Sequence, residues 1–415
     1  MMQWTPQQDD ALVAVRDWLN DPSSQVFRLF GYAGTGKTTM AKHLAADVRG
    51  TTLFAAYTGK AAHVLQQRGC TGARTIHSLI YTSKDRASTR LKELEAELLA
   101  LGAQMRMAAP AGLGDEALGK WINDQPRILD LRRRIEEEHR NAARPSFSLN
   151  QESDVKNAKL VVIDECSMVD ATMGADLLSF GTKVLVLGDP AQLPPVMGGG
   201  YFTEAKPDIM LTDIQRQARD NPIIAMATRV RNHENLRLGD YGGSSVVERV
   251  GSERALEVDQ LLVGRNRTRH ACNTRNRELL GRSNPLPEPG DRMVCLRNNS
   301  ELGLLNGALW DCVSAEKVES TRLLLRVAAV DGNQELECEA HTHGFLGVED
   351  KLPFWERKEA QEFAYGYALT VHKAQGSQWN DVILFDEAGA FGENRWRWLY
   401  TGLTRAAERV TVVRL

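Results

Sequence analysis

Cysteine is scarce in this 415-residue chain, and its six copies (Cys70, Cys166, Cys272, Cys295, Cys312 and Cys338) are scattered, with no pair at C-x-x-C spacing. That pattern argues against a disulfide framework and gives a zinc site little support. Free thiols in a reducing, cytoplasmic compartment are the expectation. Long hydrophobic runs are missing too, and no apolar stretch is long enough to span a bilayer. Met1-Met2-Gln3-Trp4-Thr5-Pro6 carries neither a basic lead nor an apolar core, so no secretory signal is expected. There is no large excess of charge of one sign: the net value is −3. This neither supports nor excludes a nucleic-acid partner, because a groove can be basic on a surface that is not. His341-Thr342-His343 comes nearest to a metal cluster, but without Cys or carboxylate at ligand spacing it reads as a polar loop. No short-period repeat is visible. The remaining composition, 42% hydrophobic and 25% charged, is that of a globular chain with room for two or three domains.

What is present is a phosphate-binding pattern. Gly31-Tyr32-Ala33-Gly34-Thr35-Gly36-Lys37-Thr38-Thr39 fits G-x-x-x-x-G-K-[ST] in full. It follows a strand-like run, Val26–Phe30, and precedes a helix-like one, Met40–Ala46. In that context the glycines let backbone N–H groups converge on phosphate oxygens at a helix N-terminus. Lys37 reaches the β- and γ-phosphates, and the Thr38 hydroxyl is a ligand for Mg²⁺. An ordinary glycine turn is the bland alternative. A second strand-like run, Val161-Val162-Ile163, ends in Asp164-Glu165. Beside a phosphate loop, this puts Asp164 at the Mg²⁺ and Glu165 where it polarises the attacking water. A surface acid pair is the competing reading. A third strand runs into Gly188-Asp189-Pro190-Ala191-Gln192, where Gln192 is a candidate γ-phosphate sensor or part of a plain proline turn.

The wider pattern is α/β. Strand-like and helix-like runs alternate over residues 1–82, resume at Lys159–Ile163 and Lys183–Leu187, and begin a second series around Leu211. Residues 84–144 differ: Leu91, Leu94, Leu98 and Leu101, then Ile128, Leu131 and Ile135, keep helical spacing amid charge. The breaker segment Ala108–Gly114 lies between them. This insertion reads either as a helical hairpin of coiled-coil type or as two solvated helices packed on the main body. After Pro285-Leu286-Pro287-Glu288-Pro289-Gly290, short β-type runs (Arg292–Leu296, Leu309–Val313, Arg322–Val330) alternate with turns, the texture of a small β-barrel. The α/β pattern returns at Phe363.

Taken in order, these segments resemble superfamily 1B DNA helicases of the RecD-like and Dda-like branch, over nearly the whole chain. Trp4–Gln8 with Ala11-Leu12 resembles the Q motif, and residues 31–39 resemble motif I. Ala56–Ala62 resembles motif Ia and Thr75–Leu79 motif Ib; Asp164–Met168 resembles motif II and Gly188–Pro195 motif III. Leu211–Gln217 resembles motif IV, Tyr367–Ser377 motif V and Leu399–Ala406 motif VI.

The resemblance implies two RecA-like parallel-sheet domains in tandem. The first covers 1–82 and 145–210, and the second covers 211–284 and 363–415. A helical hairpin insertion takes 83–144, and an SH3-like β insertion takes 285–362. It implies ATP and Mg²⁺, with Lys37, Asp164, Glu165, Gln192 and the arginine fingers Arg216 and Arg405 as catalytic groups. Gln8 would read adenine. Gly34, Thr35, Gly36, Lys37, Thr38, Thr39 and Gly376 would complete the nucleotide site, with Thr38 and Asp164 at the metal. Thr58, Lys60, His77, Thr370, His372 and Lys373 would face single-stranded DNA through phosphates and sugars, which carry no sequence information.

One departure concerns the strand-splitting pin. Its place before motif II holds the helical insertion, so residues 145–158 are expected to form the hairpin. Phe147 then lies either at the strand junction or in the core. The function implied is a monomeric helicase, 5′→3′ by resemblance alone, acting on single-stranded and tailed DNA. A DNA-stimulated translocase that needs a partner, docked at the helical insertion, stands beside it. A small-molecule kinase or nucleotide switch is the reading from another class, and it leaves motifs Ib, V and VI without a role.

Overall fold

The strands with the highest density of β-branched and leucine residues form the centre of a parallel sheet. In our computed structural model, Leu160–Asp164 is buried along its whole length, as an apolar run covered on both faces must be. The structure describes residues 4–46, 48–83, 86–110, 114–143, 147–195, 200–213, 221–299, 301–352 and 356–414. Two compact units result: residues 1–80, 151–349 and 361–415 form the larger, and residues 81–150 and 350–360 the smaller.

The larger unit contains three sheets. The first has six strands in the order Arg74–Thr75, Thr52–Ala56, Leu160–Asp164, Lys183–Gly188, Val26–Gly31 and Ile209–Leu211. All neighbours in it are parallel. Register pairs Ala56 with Asp164 and Phe30 with Gly188, so the phosphate loop and both acidic turns leave from one edge. Its core includes Leu29, Met40, Val162, Leu185 and Leu187, all fully buried. Leu211 was expected to begin the second α/β series. It instead closes the first sheet, pairing with Gly31, because this short apolar strand covers the open edge of Val26–Gly31.

The second sheet runs Ala368–Thr370, Gln260–Val263, Trp379–Asp386, Ala406–Arg414, Ser244–Val247 and Gly239–Tyr241. Only the last pair is antiparallel. Its tight turn is Gly242-Gly243, with φ of 70° and 95°, values a two-residue hairpin demands and glycine supplies without strain. Between Gln260–Val263 and Ala368–Thr370 lies a five-stranded antiparallel sheet, ordered Glu335–His341, Arg322–Ala329, Leu309–Lys317, Arg292–Cys295 and Phe363–Tyr365. A bridge from Ala340 to Gln361 draws its two edges together.

Two expectations are corrected here. Phe363–Tyr365 does not resume the α/β pattern: all three residues are buried against Arg292–Cys295, so the boundary follows Tyr365. His341 is not in a polar loop but ends a buried strand edge at 2% exposure.

The smaller unit holds helices Arg86–Ala108, Asp115–Asn123 and Pro126–Ala143. The long helices pack together and bury Leu94, Ile128 and Leu131, which gives the helical spacing its meaning. A third helix follows the breaker segment, where a simple turn between two helices was expected. The hairpin expected within 145–158 is not found in that form. Phe147–Leu149 pairs antiparallel with Tyr81–Ser83, on the far side of the helices in sequence, and Asp154–Asn157 is a 3₁₀ turn. Pro145 and Ser146 lie outside the described residues. No helix among the described residues is long and apolar enough to cross a membrane.

Candidate active site

Gly34 and Gly36 sit at φ 80° and 82°, a left-handed backbone that side chains rarely adopt. They turn the chain from Val26–Gly31 into the helix Lys37–Leu44, whose N-cap is Gly36. At Gly31 a β-carbon would lie 2.6 Å from Thr35 Oγ1 and 2.8 Å from Leu211 Cβ, so the loop closes only over glycine. Thr35 is fully buried, its hydroxyl donating to Tyr32 O at 2.8 Å. Lys37 Nζ donates to Gly31 O at 2.6 Å and Tyr32 O at 3.0 Å, which lays its ammonium along the loop. Thr39 Oγ1 accepts from Arg68 at 2.8 Å.

Thr38 Oγ1 donates to Asp164 Oδ2 at 2.8 Å. A hydroxyl beside a carboxylate is the hard-oxygen pair that Mg²⁺ takes together with phosphate oxygens. Among the described residues no group of three His, Cys, Asp or Glu forms a self-sufficient metal site, so phosphates would have to complete such a shell. Burial pushes the Asp164 carboxyl above the usual range, with the Thr38 hydroxyl and the Glu165 N–H pulling it back. Glu165 takes φ 53° and ψ 44°, one of two non-glycine residues at positive φ among those described. Such strain persists only where the surroundings impose it. Burial raises the Glu165 pKa; the Arg405 guanidinium opposes this, while Asp164 and Asp189 add to it.

Arg405 comes from the second sheet and is 6% exposed. It donates to Thr401 O, Ser377 O and Thr404 Oγ1 at 3.2 to 3.3 Å, a set of neutral acceptors that leaves its charge unpaired by any carboxylate bond. Gln192 is buried, and its Oε1 has no hydrogen-bond partner among the described residues. Arg216 lies outside the described residues.

Two of the residues expected at the nucleotide lie close to other parts of the protein. Gln8 is 1% exposed, its Oε1 accepting from Thr5 N and its Nε2 donating to Thr35 O, both at 2.9 Å. It forms a capping box and braces the phosphate loop. Gly376, at φ 76°, lies against motif Ia rather than the phosphate loop: a β-carbon there would be 2.9 Å from Thr58 Oγ1.

Of the residues expected to face a strand, Thr370, His372 and Lys373 share one turn, whose Gly376 lies against Thr58. Thr58 caps the helix Gly59–Gln67, accepting from Ala61 N at 3.1 Å. Lys60 is paired at the surface with the exposed Asp331 at 3.2 Å and lies 5.2 Å from the Trp379 ring. His77 is exposed on Ile76–Ile80. Thr370 Oγ1 accepts from Lys373 N at 3.3 Å. Burial lowers the His372 pKa, and its ring stands 5.5 Å from Phe391. Lys373 is exposed; desolvation and Arg269 lower its pKa. Phe147 takes part through its backbone, paired with Ser83.

Sequence reasoning missed Tyr400. Its hydroxyl donates to Asp189 Oδ2 at 2.7 Å and accepts from Ala33 N of the phosphate loop at 2.9 Å. The residue lay inside the motif VI run, but its type alone does not disclose two partners, 367 and 211 positions away. Glu387 was missed as well. It accepts from Gly264 N at 2.6 Å, Arg265 N at 3.0 Å and Thr268 Oγ1 at 2.7 Å. Its carboxylate thus fills, at the carboxyl edge of the second sheet, the anion position that the first sheet leaves to a phosphate.

Comparison with known proteins follows the same lines. A family model described as an AAA domain matches residues 4–251, and one described as the UvrD-like helicase C-terminal domain matches residues 365–413. The ATP-dependent RecD2 DNA helicase of Deinococcus radiodurans is 30% identical over 281 residues, 60% of this chain and 35% of that protein. The RecBCD enzyme subunit RecD of Mycolicibacterium smegmatis is 27% identical over 382 residues, 80% of this chain and 66% of that protein. The chain therefore spans about a third of the one and just under two thirds of the other. Among solved structures, a Bacteroides Pif1 helicase in complex with ADP-AlF3 and ssDNA aligns with a TM-score of 0.53 at 17% identity, over 99% of this chain and 92% of that one. A structure of Pif1 helicases at forked dsDNA aligns with a TM-score of 0.54 at 18% identity, with the same coverage. At these identities the likeness shows a shared fold.

Proposed function

Since the chain belongs to the AAA-domain family, in the superfamily 1B lineage of RecD-like and Pif1-like helicases, we propose that it is an ATP-dependent DNA helicase that moves along single-stranded DNA in the 5′→3′ direction. The observation that carries this reading is the Tyr400 hydroxyl, which comes from the helix that leads to Arg405 and bonds both Ala33 N of the phosphate loop and Asp189 of the first sheet. Hydrolysis would need both sheets, and a change in the nucleotide would be felt by both. The two parallel sheets are then RecA-like domains, and the five-stranded sheet between them is an SH3-like insertion that helps enclose the strand.

In this reading Lys37 balances the β- and γ-phosphate charge. Thr38 and Asp164 would hold Mg²⁺, which would supply positive charge to the phosphate oxygens. Glu165 orients a water whose oxygen attacks the γ-phosphorus as the bond to the β–γ bridging oxygen breaks, and the water's proton passes to the Glu165 carboxylate. Gln192, with its buried free carbonyl, is suited to accept a hydrogen bond from that water. Arg405, with Arg216 as the second finger, neutralises charge as it develops. Thr58, His77, Thr370, His372 and Lys373 meet the strand's phosphates and sugars without regard to sequence.

The runner-up is a DNA-stimulated translocase that unwinds only with a partner docked on the helices of residues 84–144. The exposed Leu99 and Met107, 77% and 91% accessible, favour it. Strand displacement on matched duplexes with 5′ or 3′ tails separates the readings, with Lys37→Ala as the inactive control. Displacement from the 5′ tail alone is expected. Displacement from the 3′ tail alone refutes the polarity, and displacement from neither, with stimulated ATPase intact, selects the translocase. An ATPase indifferent to DNA returns the chain to the nucleotide-switch class.

A further inference from the structure

The Gly188–Pro195 loop belongs to the first sheet but is gripped by side chains of the second. Leu193 donates its N–H to Thr401 Oγ1 at 2.9 Å, and its carbonyl accepts from Gln375 Nε2 at 3.1 Å. With both polar groups of one peptide segment held from the other sheet, the loop cannot shift independently of it. Four residues earlier, Asp189 is fully buried and accepts from the Tyr400 hydroxyl, which also caps Ala33 N on the phosphate loop. Tyr400 lies on the helix Arg395–Leu403, which leads directly to Arg405. One hydroxyl thus sets the distance between phosphate loop, sensor loop and arginine.

Gln375 occupies the other end of this arrangement. It sits in a stiff turn that begins at Thr370 and is closed by Ala374 N to Thr370 O, Gln375 N to His372 O and Ser377 N to Ala374 O. A displacement at His372 or Lys373 is therefore passed to Gln375. Its side chain is 3% exposed, and its Oε1 has no partner among the described residues. A buried, unpaired amide oxygen is costly, and it marks a group selected for something other than stability.

We propose that Gln375 and Tyr400 are positioning residues that tie strand occupancy to ATP hydrolysis by gripping the Gly188–Pro195 loop at Leu193 and Asp189. The inference rests on the strand-binding reading above and adds its route: strand, Thr370–Ser377 turn, Gln375, Leu193, then Gln192 and the γ-phosphate. Tyr400 keeps the loop in register with Arg405.

The test is steady-state ATPase of the full chain with and without an oligothymidylate, in wild type, Gln375→Met and Tyr400→Phe. Oligonucleotide Kd is read by fluorescence anisotropy, and melting temperature is recorded for each variant. The ratio of stimulated to basal kcat is expected to fall about tenfold in each variant while oligonucleotide Kd stays within about twofold, the scale of losing one buried hydrogen bond. The double variant should fall no further than the worse single one, as members of one relay are not additive. Stimulation equal to wild type in folded variants overturns the relay alone. Loss of stimulation matched by loss of oligonucleotide affinity also overturns it, because the residues would then be strand contacts. Should either variant unfold, Thr401→Val breaks the same grip at the Leu193 N–H and is judged by the same criteria. A wild type indifferent to the oligonucleotide overturns the relay and the strand-binding reading together.

Discussion

At the scale of single residues, the site is a set of charges arranged around a strained carboxylate. Lys37→Ala removes the only ammonium laid along the phosphate loop among the described residues, and it should abolish hydrolysis while the circular dichroism spectrum stays that of wild type. Glu165→Gln should still bind ATP in a filter or fluorescence assay but turn over about 10²–10⁴-fold more slowly, the usual cost of losing a general base. Asp189 provides a pH test. Its charge helps raise the Glu165 pKa, so Asp189→Asn favours the ionised glutamate. The acid limb of the ATPase pH–rate profile should then move to lower pH; a limb that stays in place would mean that another group sets it. These residues were legible because motif spacing fixes their types. The same spacing does not say which partners within the protein Gln8, Lys60 and Gly376 are held by. Those partners, Thr35 O, Asp331 and Thr58, lie 27, 271 and 318 positions away.

At the scale of elements, the join between second sheet and β insertion depends on one buried carboxylate. Asp291 is 0% exposed and accepts from Arg277, Arg282 and Tyr367. Removing it leaves the buried Arg277 with only Glu288, 3.8 Å away, as an opposite charge, and the half-buried Arg282 without its present carboxylate, so Asp291→Ala should cost about 3–5 kcal/mol in denaturant unfolding. The helical insertion should be separable. Ser83 and Phe147 are paired partners, so replacing residues 84–146 with Asn-Gly closes the two strands as a tight hairpin. ATPase activity should survive that excision, and any partner that docks on the helices should be lost in pull-down. Strands such as Leu160–Asp164 and Lys183–Gly188 were visible as apolar runs. Ile209–Leu211 and Phe363–Tyr365 could not be assigned to a sheet, because a three-residue strand carries no period and its neighbour is chosen by which edge is open. Glu335–His341 escaped notice although Glu335, Glu337 and Glu339 alternate with Leu336, Cys338 and Ala340, because glutamate is poorly represented in strands and lowers the propensity of the run.

At the scale of the whole molecule, nucleotide and fold share one scaffold, since Tyr400, Thr401 and Gln375 join the sheets at the loops that line the phosphate site. A non-hydrolysable ATP analogue at a hundredfold its Kd should stabilise the chain by about 2.7 kcal/mol. In a thermal melt that upward shift should appear for wild type and Glu165→Gln and vanish for Lys37→Ala. The strand order of the first sheet also sets a timetable. Val26–Gly31 lies between Lys183–Gly188 and Ile209–Leu211, so neither of its neighbours exists until more than 150 further residues have been made. At bacterial-scale synthesis rates its apolar edge waits roughly ten to thirty seconds for a partner. A nascent chain stalled before Leu211 would carry the whole glycine-rich signature and still have no closed loop to hold a phosphate. On the ribosome, a motif complete at residue 39 gains its second strand neighbour only when Leu211 has been made.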